Sequence, residues 1–444
     1  MKRFAVILAA SIVAATSQYA AEVRHLTLTE AVHIAISQNR VLKIARLKVA
    51  EDQQKKAAQR SSYFPSLQNE SKILHVTELQ DIGIPAGAFG KVAGSLVPAQ
   101  KTTIPQGHTN LYMSGTQLSQ PLTQLIRIHD ANRMAAADIA ISQDDLKRAE
   151  NEIALQVHSV YYGILIARLQ KQAAEQQTEY ANQNLRESED DVRNGNALKV
   201  ATIQGQATLL ESQQAVLTAD LQLTDLTTQL NDLLGLPLDT QLDLDAAVPT
   251  SFEERSHEEY VQNAWSQNPQ IKAAEDAVEK ARAAVASAKT AYIPDVTAFA
   301  RQSYQDGIPF FVRNFGTFGA SVTWDVFDFG KRRATVRERE DQLAEAEENV
   351  RRLKEEVAVS IRRSYDKVER TKSLVKVAQQ AMTLRQESER LTQNQLAQGV
   401  VLISDRRQAT AKTYQAQADW LQANLGYMLA WAELQESAGI TPGF

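Results

Sequence analysis

The chain has 444 residues, carries 48 basic against 53 acidic side chains for a net charge of −5, and contains no cysteine. So balanced a charge offers no basic face for nucleic acid, and without thiols there are no disulfides, no thiolate chemistry and no lipid joined through an N-terminal cysteine. No stretch beyond the N-terminus approaches the ~20 apolar residues that a membrane-spanning helix needs.

In chain order the first element is a segment to be removed. Met1-Lys2-Arg3 precede an apolar run from Phe4 to Ala15, and small and polar residues follow, with cleavage expected after Ser17 or Ala20. That is the layout of a secretory signal over residues 1–20, so the mature chain is exported. The remainder repeats itself. Ser37-Gln38-Asn39 and Tyr63-Phe64-Pro65 return as Ser266-Gln267-Asn268 and Tyr292-Ile293-Pro294 at one increment (292 − 63 = 229), whereas Gly195 returns as Gly399 at another (399 − 195 = 204). The first copy therefore holds an extra segment (229 − 204 = 25 residues) between Pro65 and Pro121. One structural repeat is expected over 21–236, a linker over 237–257 and a second repeat over 258–444.

Each copy opens with a helix, 29–60 and 258–290, that stops at a Tyr-x-Pro site, because proline cannot continue a helix and pushes the residue before it into extended geometry. A strand over 67–79 follows, then a Gly/Pro-bearing loop over 77–106 that holds the extra residues, then a second strand over 112–122. The segment 125–193 has no Pro and one Gly, and carries a seven-residue ladder of Ile139, Leu146, Ile153, Val160, Ala167, Ala174 and Ala181. A straight helix drifts about 20° per heptad from such a ladder, so the seam implies helices supercoiled about neighbours. Roughly 70 residues at 1.5 Å each make a rod on the order of 100 Å. Gly195 turns the chain into a helix over 197–234.

In the second copy the strands fall at 296–304 and 318–326, with a loop over 305–315. Phe318, Ala320, Val322, Trp324 and Val326 alternate there with Thr317, Gly319, Ser321, Thr323 and Asp325. One face is apolar, suited to lipid, and the other is small and polar, suited to a water-filled lumen. The long helix 331–398 carries Leu343, Val350, Val357, Ile361, Val368, Val375 and Met382, Gly399 turns it, and a helix over 401–437 follows. Four strands cannot close by themselves. The smallest membrane barrels have eight, and an open edge in lipid costs several kcal/mol per unpaired group. Three copies supply twelve strands, and the long helices then continue that cylinder into the periplasm.

Taken in order, the duplicated Tyr63-Phe64-Pro65-Ser66-Leu67 and Tyr292-Ile293-Pro294-Asp295-Val296, the segment Trp324-Asp325-Val326-Phe327-Asp328-Phe329-Gly330 entering a long helix, and the Gly195 and Gly399 turns resemble the TolC-like outer membrane efflux protein family. The resemblance covers essentially all of the mature chain. It implies a mainly α, internally duplicated protomer of long coiled-coil-like helices plus four β-strands, whose homotrimer forms a twelve-stranded outer-membrane β-barrel on a periplasmic α-barrel. The implied function is a passive exit duct of a tripartite efflux pump or a type I secretion system. The implied partners are a periplasmic adaptor protein, an inner-membrane transporter and outer-membrane lipid, with no cofactor. The turns at Arg193, Gly195 and Gly399 become the periplasmic tip where adaptor hairpins bind, and Phe318, Val322, Trp324 and Val326 the lipid-facing strand. Several family members carry acids six and nine positions past the second glycine that ring the tunnel mouth. Here those positions are Asp405 and Gln408, and Ala201 matches Asp405 in the first repeat, so the resemblance allows a single ring. The other reading of Asp405 is a solvated helix acid beside Arg406 and Arg407.

An enzyme has little support in the sequence. His25, His33, His75, His108, His129, His158 and His257 are scattered, with no paired His on a helix face, and no Gly-x-Ser-x-Gly elbow occurs. Tyr161-Tyr162 read as packing or tunnel-lining residues. The alternative from a different class is a soluble periplasmic coiled-coil scaffold or adaptor whose strands form a small accessory sheet.

Overall fold

The computed structural model describes residues 24–245, 255–308 and 311–442; the expected signal peptide lies outside them. In chain order the elements are β1 (Arg24–Leu26), α1 (Leu28–Gln38), α2 (Arg40–Ser61), β2 (Ser66–His75), β3 (Ile82–Ile84), β4 (Lys91–Val92), β5 (Ser95–Leu96), β6 (Thr102–Ile104), β7 (Asn110–Pro121) and α3 (Leu125–Arg193). There follow α4 (Lys199–Leu234), β8 (Leu242–Leu244), α5 (His257–Gln267), α6 (Pro269–Lys289), a 3-10 turn at Thr290–Tyr292, β9 (Asp295–Asp306), β10 (Asn314–Thr323), α7 (Lys331–Ala397) and α8 (Ile403–Ser437). Two units are formed, one from the chain up to Arg46 with Asp145–Gln270 and the part from Lys354 on, the other from Leu47–Asp144 and Ile271–Leu353.

The first unit has its core where α1, α3, α4 and α8 meet, around Leu26, Val32, Leu42, Val157, Tyr161, Ile164, Leu230, Leu234, Leu425 and Met428. The expected linker is not idle: its β8 pairs in parallel with β1, Arg24 opposite Leu242 and Leu26 opposite Leu244. Tyr161 ties that ribbon to α3, its hydroxyl lying between the carbonyls of Leu26 (3.0 Å) and Asp245 (2.8 Å) with one proton to donate to either. Tyr161 and its buried neighbour Tyr162 are thus packing residues. His158 lies fully buried beside the Tyr162 ring, and burial pushes its imidazole down to about 4.

The helices expected over 29–60 and 258–290 are each broken in two. Asn39 (ψ 132°) and Asn268 (ψ 122°) take extended backbone, and each side chain caps two helices at once. Asn39 Oδ1 accepts from the Val41 amide at 2.9 Å while Nδ2 donates to the Leu233 carbonyl at 3.1 Å. Asn268 Oδ1 accepts from Gln270 N–H at 2.9 Å while Nδ2 donates to the Ser437 carbonyl at 3.2 Å. Those carbonyls belong to the last turns of α4 and α8, which close in glycine caps with Leu236 N–H on Asn231 O (2.9 Å) and Ile440 N–H on Gln435 O (2.8 Å). The repeated Ser-Gln-Asn triplet is therefore a joint in which one amide satisfies a starting helix and a finishing one.

In the second unit the sheet order is β10-β9-β7-β2, antiparallel throughout. The loop between β2 and β7 is not structureless, since β3 pairs with β6 and β4 with β5 inside it. The strand expected over 318–326 begins earlier and stops earlier. Thr323 pairs with Asp295, the first residue of β9, and beyond it the partner chain is Pro294, which has no N–H for a ladder. Trp324 and Val326 accordingly lie past the strand, exposed, in a turn that Arg332 holds by donating to the Asp325 carbonyl (2.6 Å) and the Asp328 carboxylate (2.7 Å). Around the sheet base, Arg127 pairs with Asp295, and Thr123 donates to the Pro294 carbonyl at 2.8 Å. Lys280–Asp138 (2.7 Å) and Lys289–Glu340 (2.9 Å) link the unit's helices.

Candidate channel wall and helix tip

Residues opposed across a ladder share a face, and so do residues two apart along a strand. The register puts Leu67, Ile73, Tyr112, Leu118, Val296, Ala298, Ala300, Tyr304, Phe318, Ala320 and Val322 on one face. The other carries Gln68, Glu70, Lys72, Gln117, Thr297, Arg301, Ser303, Thr317 and Ser321, with Leu74, Leu111, Met113, Phe299 and Phe315 among them. Phe318 is 89% exposed, which in water is a cost of burial forgone and in hydrocarbon is not. Polar groups that fall on the apolar face find partners, Asn69 Nδ2 on Thr116 Oγ1 at 2.8 Å, Ser71 with Ser114 at 2.9 Å, Gln302 on Asn314, Gln120 on the Tyr63 carbonyl at 3.1 Å and Asp306 with Arg313 at 3.4 Å. That is what hydrocarbon demands of them. The outer strands β2 and β10 are exposed along their whole length and each has one unpaired edge.

The helices of the first unit also form a row with open ends. Lys171 of α3 pairs with Asp220 of α4 at 2.6 Å, and Leu185 closes to 3.1 Å over the space where Gly205 lacks a Cβ. Tyr180 and Glu187 of α3 meet Gln408 and Ser404 of α8, and α8 in turn meets α7 through Lys367–Glu433 (2.6 Å) and Thr410–Glu389 (2.7 Å). The spatial order is α4, α3, α8, α7. The ladder positions of α3 and α7 are all buried or half-buried, while the end helices present unpartnered stripes, Ile203, Leu210 and Leu217 on α4 and Val377, Leu384 and Leu391 on α7.

At the tip, Gly195 (φ +78°) and Gly399 (φ +73°) sit in the left-handed region that only glycine occupies freely. Each closes its long helix in the same two-bond cap, with Asn196 N–H on Asp191 O (2.8 Å) and Gly195 N–H on Val192 O (3.2 Å), and Val400 N–H on Gln395 O (3.0 Å) and Gly399 N–H on Leu396 O (3.0 Å). Arg193, the last residue of α3, is exposed and paired with Asp190 at 3.0 Å. Asp405 is exposed and its carboxylate accepts from the Leu402 amide at 3.0 Å, capping α8 from its own first turn. Glu187, which no sequence pattern marks, also acts at the tip. Its Oε1 accepts from Ser404 N–H at 2.9 Å and from Gln183 Nε2 at 3.0 Å, so a carboxylate on α3 caps the start of α8. Nothing in the local sequence pairs residues 187 and 404; the signal is only a half-buried acid at the end of a long helix. Among the described residues no group of acids or histidines is arranged to hold a metal ion.

A sheet with one mainly apolar and one more polar face, open at both edges, and a helix row open at both ends leave a protomer whose edges only further copies can complete. Residues 31–236 and 260–440 match the outer membrane efflux protein family, and the chain belongs to that family. It is an outer-membrane protein that extends into the periplasm and serves as the exit duct of an efflux or secretion system. AprF, the alkaline protease secretion protein of Pseudomonas aeruginosa, is 22% identical over 339 residues, which cover 74% of this chain and 70% of AprF. The outer membrane channel CmeC of Campylobacter jejuni shares the fold at a TM-score of 0.73 and 16% identity, over 93% of this chain and 85% of CmeC. The outer membrane protein VceC of Vibrio cholerae does so at 0.70 and 14%, over 93% and 96%.

Proposed function

We propose that the duct is a homotrimer in which head-to-tail contacts close each row, β10 of one copy pairing with β2 of the next and α7 of one copy packing against α4 of the next. One observation carries this. Ile203, Leu210 and Leu217 stand 8, 15 and 22 residues after Gly195, and Leu391, Leu384 and Val377 stand 8, 15 and 22 before Gly399 (203 − 195 and 399 − 391 both give 8). Run antiparallel from a common tip, the two exposed stripes meet residue for residue, the spacing that knobs-into-holes packing requires. A contact between two different surfaces closes into a ring when its rotation permits, and three rotations give twelve strands (3 × 4).

The apolar sheet face then meets outer-membrane lipid, and the polar face lines water. The turns at Arg193, Gly195 and Gly399 are the docking points for a periplasmic adaptor that couples the duct to an inner-membrane transporter, and Asp405 forms a threefold acidic ring at the mouth. No catalytic step is ascribed to the chain, in keeping with a family of channels. AprF, named for protease secretion, favours the secretion arm over small-molecule efflux.

Because the chain has no cysteine, Leu210→Cys with Leu384→Cys gives an uncluttered test. Oxidation should trap a covalent trimer, and each single variant should not. A product that stops at monomer, with the pair fully oxidised, would remove the α4–α7 contact.

A further inference from the structure

We propose that Arg301, seated over Gly115, forms with Lys72 an anion-binding belt on the lumen face of the barrel. The inference rests on the duct reading above and adds a solute class to it.

On the polar face Gly115 pairs with Glu70 on one side and Ser303 on the other, and Arg301 pairs with Gln117. The Arg301 guanidinium lies across the bare backbone of residue 115. A Cβ built there would stand 2.8 Å from one terminal nitrogen and 2.9 Å from Nε. The absence of a side chain at 115 is thus what lets a long cation lie down along the wall. Lys72 pairs with Glu70 at 2.8 Å, and Glu70 also feels the charge of Arg301. Among the described residues Arg301 has no carboxylate within salt-bridge distance, so each copy sets two cations against one carboxylate at this level of the sheet.

A guanidinium that keeps its planar fork of donors unspent is suited to phosphate and carboxylate oxygens, and rings of Arg and Lys are how pores favour anions. The belt recurs three times around the lumen in the trimer. The solutes it would hold are multivalent oxyanions, such as phosphate-rich or carboxylate-rich molecules, and the attraction is to be screened by salt.

The test uses the full mature chain in planar bilayers, with sodium tripolyphosphate added from the barrel side and the half-blocking concentration read at low salt. Wild type should be blocked. Arg301→Gln should raise the half-blocking concentration about tenfold, the order expected when three partly screened contacts are lost. Gly115→Ala leaves the charge unchanged but fills the seat, and should weaken block in the same direction. Pores whose block is the same in wild type and Arg301→Gln overturn the belt and leave the duct standing. A wild-type protein that forms no pore overturns the duct, and the belt with it.

Discussion

Glu187→Ala should loosen the tip. The substitution removes the carboxylate that accepts from Ser404 N–H at 2.9 Å, at a helix start whose first amides have no acceptor within the helix. A charge-assisted hydrogen bond contributes about 1.5–3 kcal/mol, and an anion at a helix N-terminus about 0.3–1 kcal/mol. Water replaces part of both at a half-buried site, which leaves about 2 kcal/mol. That is a shift of roughly thirtyfold between docked and undocked α8 starts, at 1.4 kcal/mol per factor of ten. The remaining side-chain link nearby, Gln408 to the Tyr180 hydroxyl at 3.3 Å, is neutral and longer, so it cannot take over the load. The repeat-related pair offers no equivalent, because the positions matching Glu187 and Ser404 are Leu391 and Val200. Single-channel recording should show a higher mean conductance and more frequent open events for Glu187→Ala, with Glu187→Gln in between because its amide oxygen still accepts. Spin labels on α3 and α8 near the tip should broaden in distance at an unchanged melting temperature. Conductance and distances identical to wild type would mean that this carboxylate does not hold the tip.

Further expectations can be checked on the same preparations. Gly399→Ala meets open space and pays only for its left-handed backbone, about 1 kcal/mol. Gly439→Ala would bring Cβ to 2.5 Å from Asn268 Cα and should lower the thermal midpoint several-fold further; equal losses would contradict the close approach at the joint. His158 titrates near 6.5 when unfolded and about 4 when buried, so stability is complete above pH 6.5 and falls between pH 6.5 and 4, by about 3 kcal/mol, as the unfolded chain alone takes up the proton. His158→Met should flatten the melting profile across that window, and an unaltered slope would assign the acid sensitivity elsewhere. Asp405→Asn keeps an oxygen for the Leu402 amide and should weaken block by multivalent cations without loss of stability, whereas Asp405→Ala should also cost about 1 kcal/mol. Unchanged cation block in both would leave Asp405 a cap alone.

What the sequence disclosed follows the physics of repetition. The heptad ladders predict α3 and α7 because apolar periodicity over roughly 70 residues admits no other element, and the glycine turns are legible because few residues other than glycine take their backbone. The breaks at Asn39 and Asn268 were not legible, although the Ser-Gln-Asn triplet was plain. An asparagine in a helical run breaks it only when a second helix end arrives to share its amide, and that end lies far along the chain in α4 or α8. The end of β10 was hidden for a similar reason. Alternation continues through Trp324 and Val326, but the ladder stops where Pro294 takes away the partner. Alternation in β2 and β7 reads as patchy because Asn69, Ser71, Ser114 and Thr116 satisfy one another across the strands. Glu187 and the Arg301 seat depend on contacts between distant residues, which periodicity does not encode.

On the reading proposed above, this chain forms a wall only as three copies around water. Single-channel conductance of the detergent-purified mature protein, with its oligomeric mass measured on the same sample, decides this. A trimeric mass with discrete pores is the predicted result. A monodisperse protein that stays soluble without detergent and carries no current would contradict it.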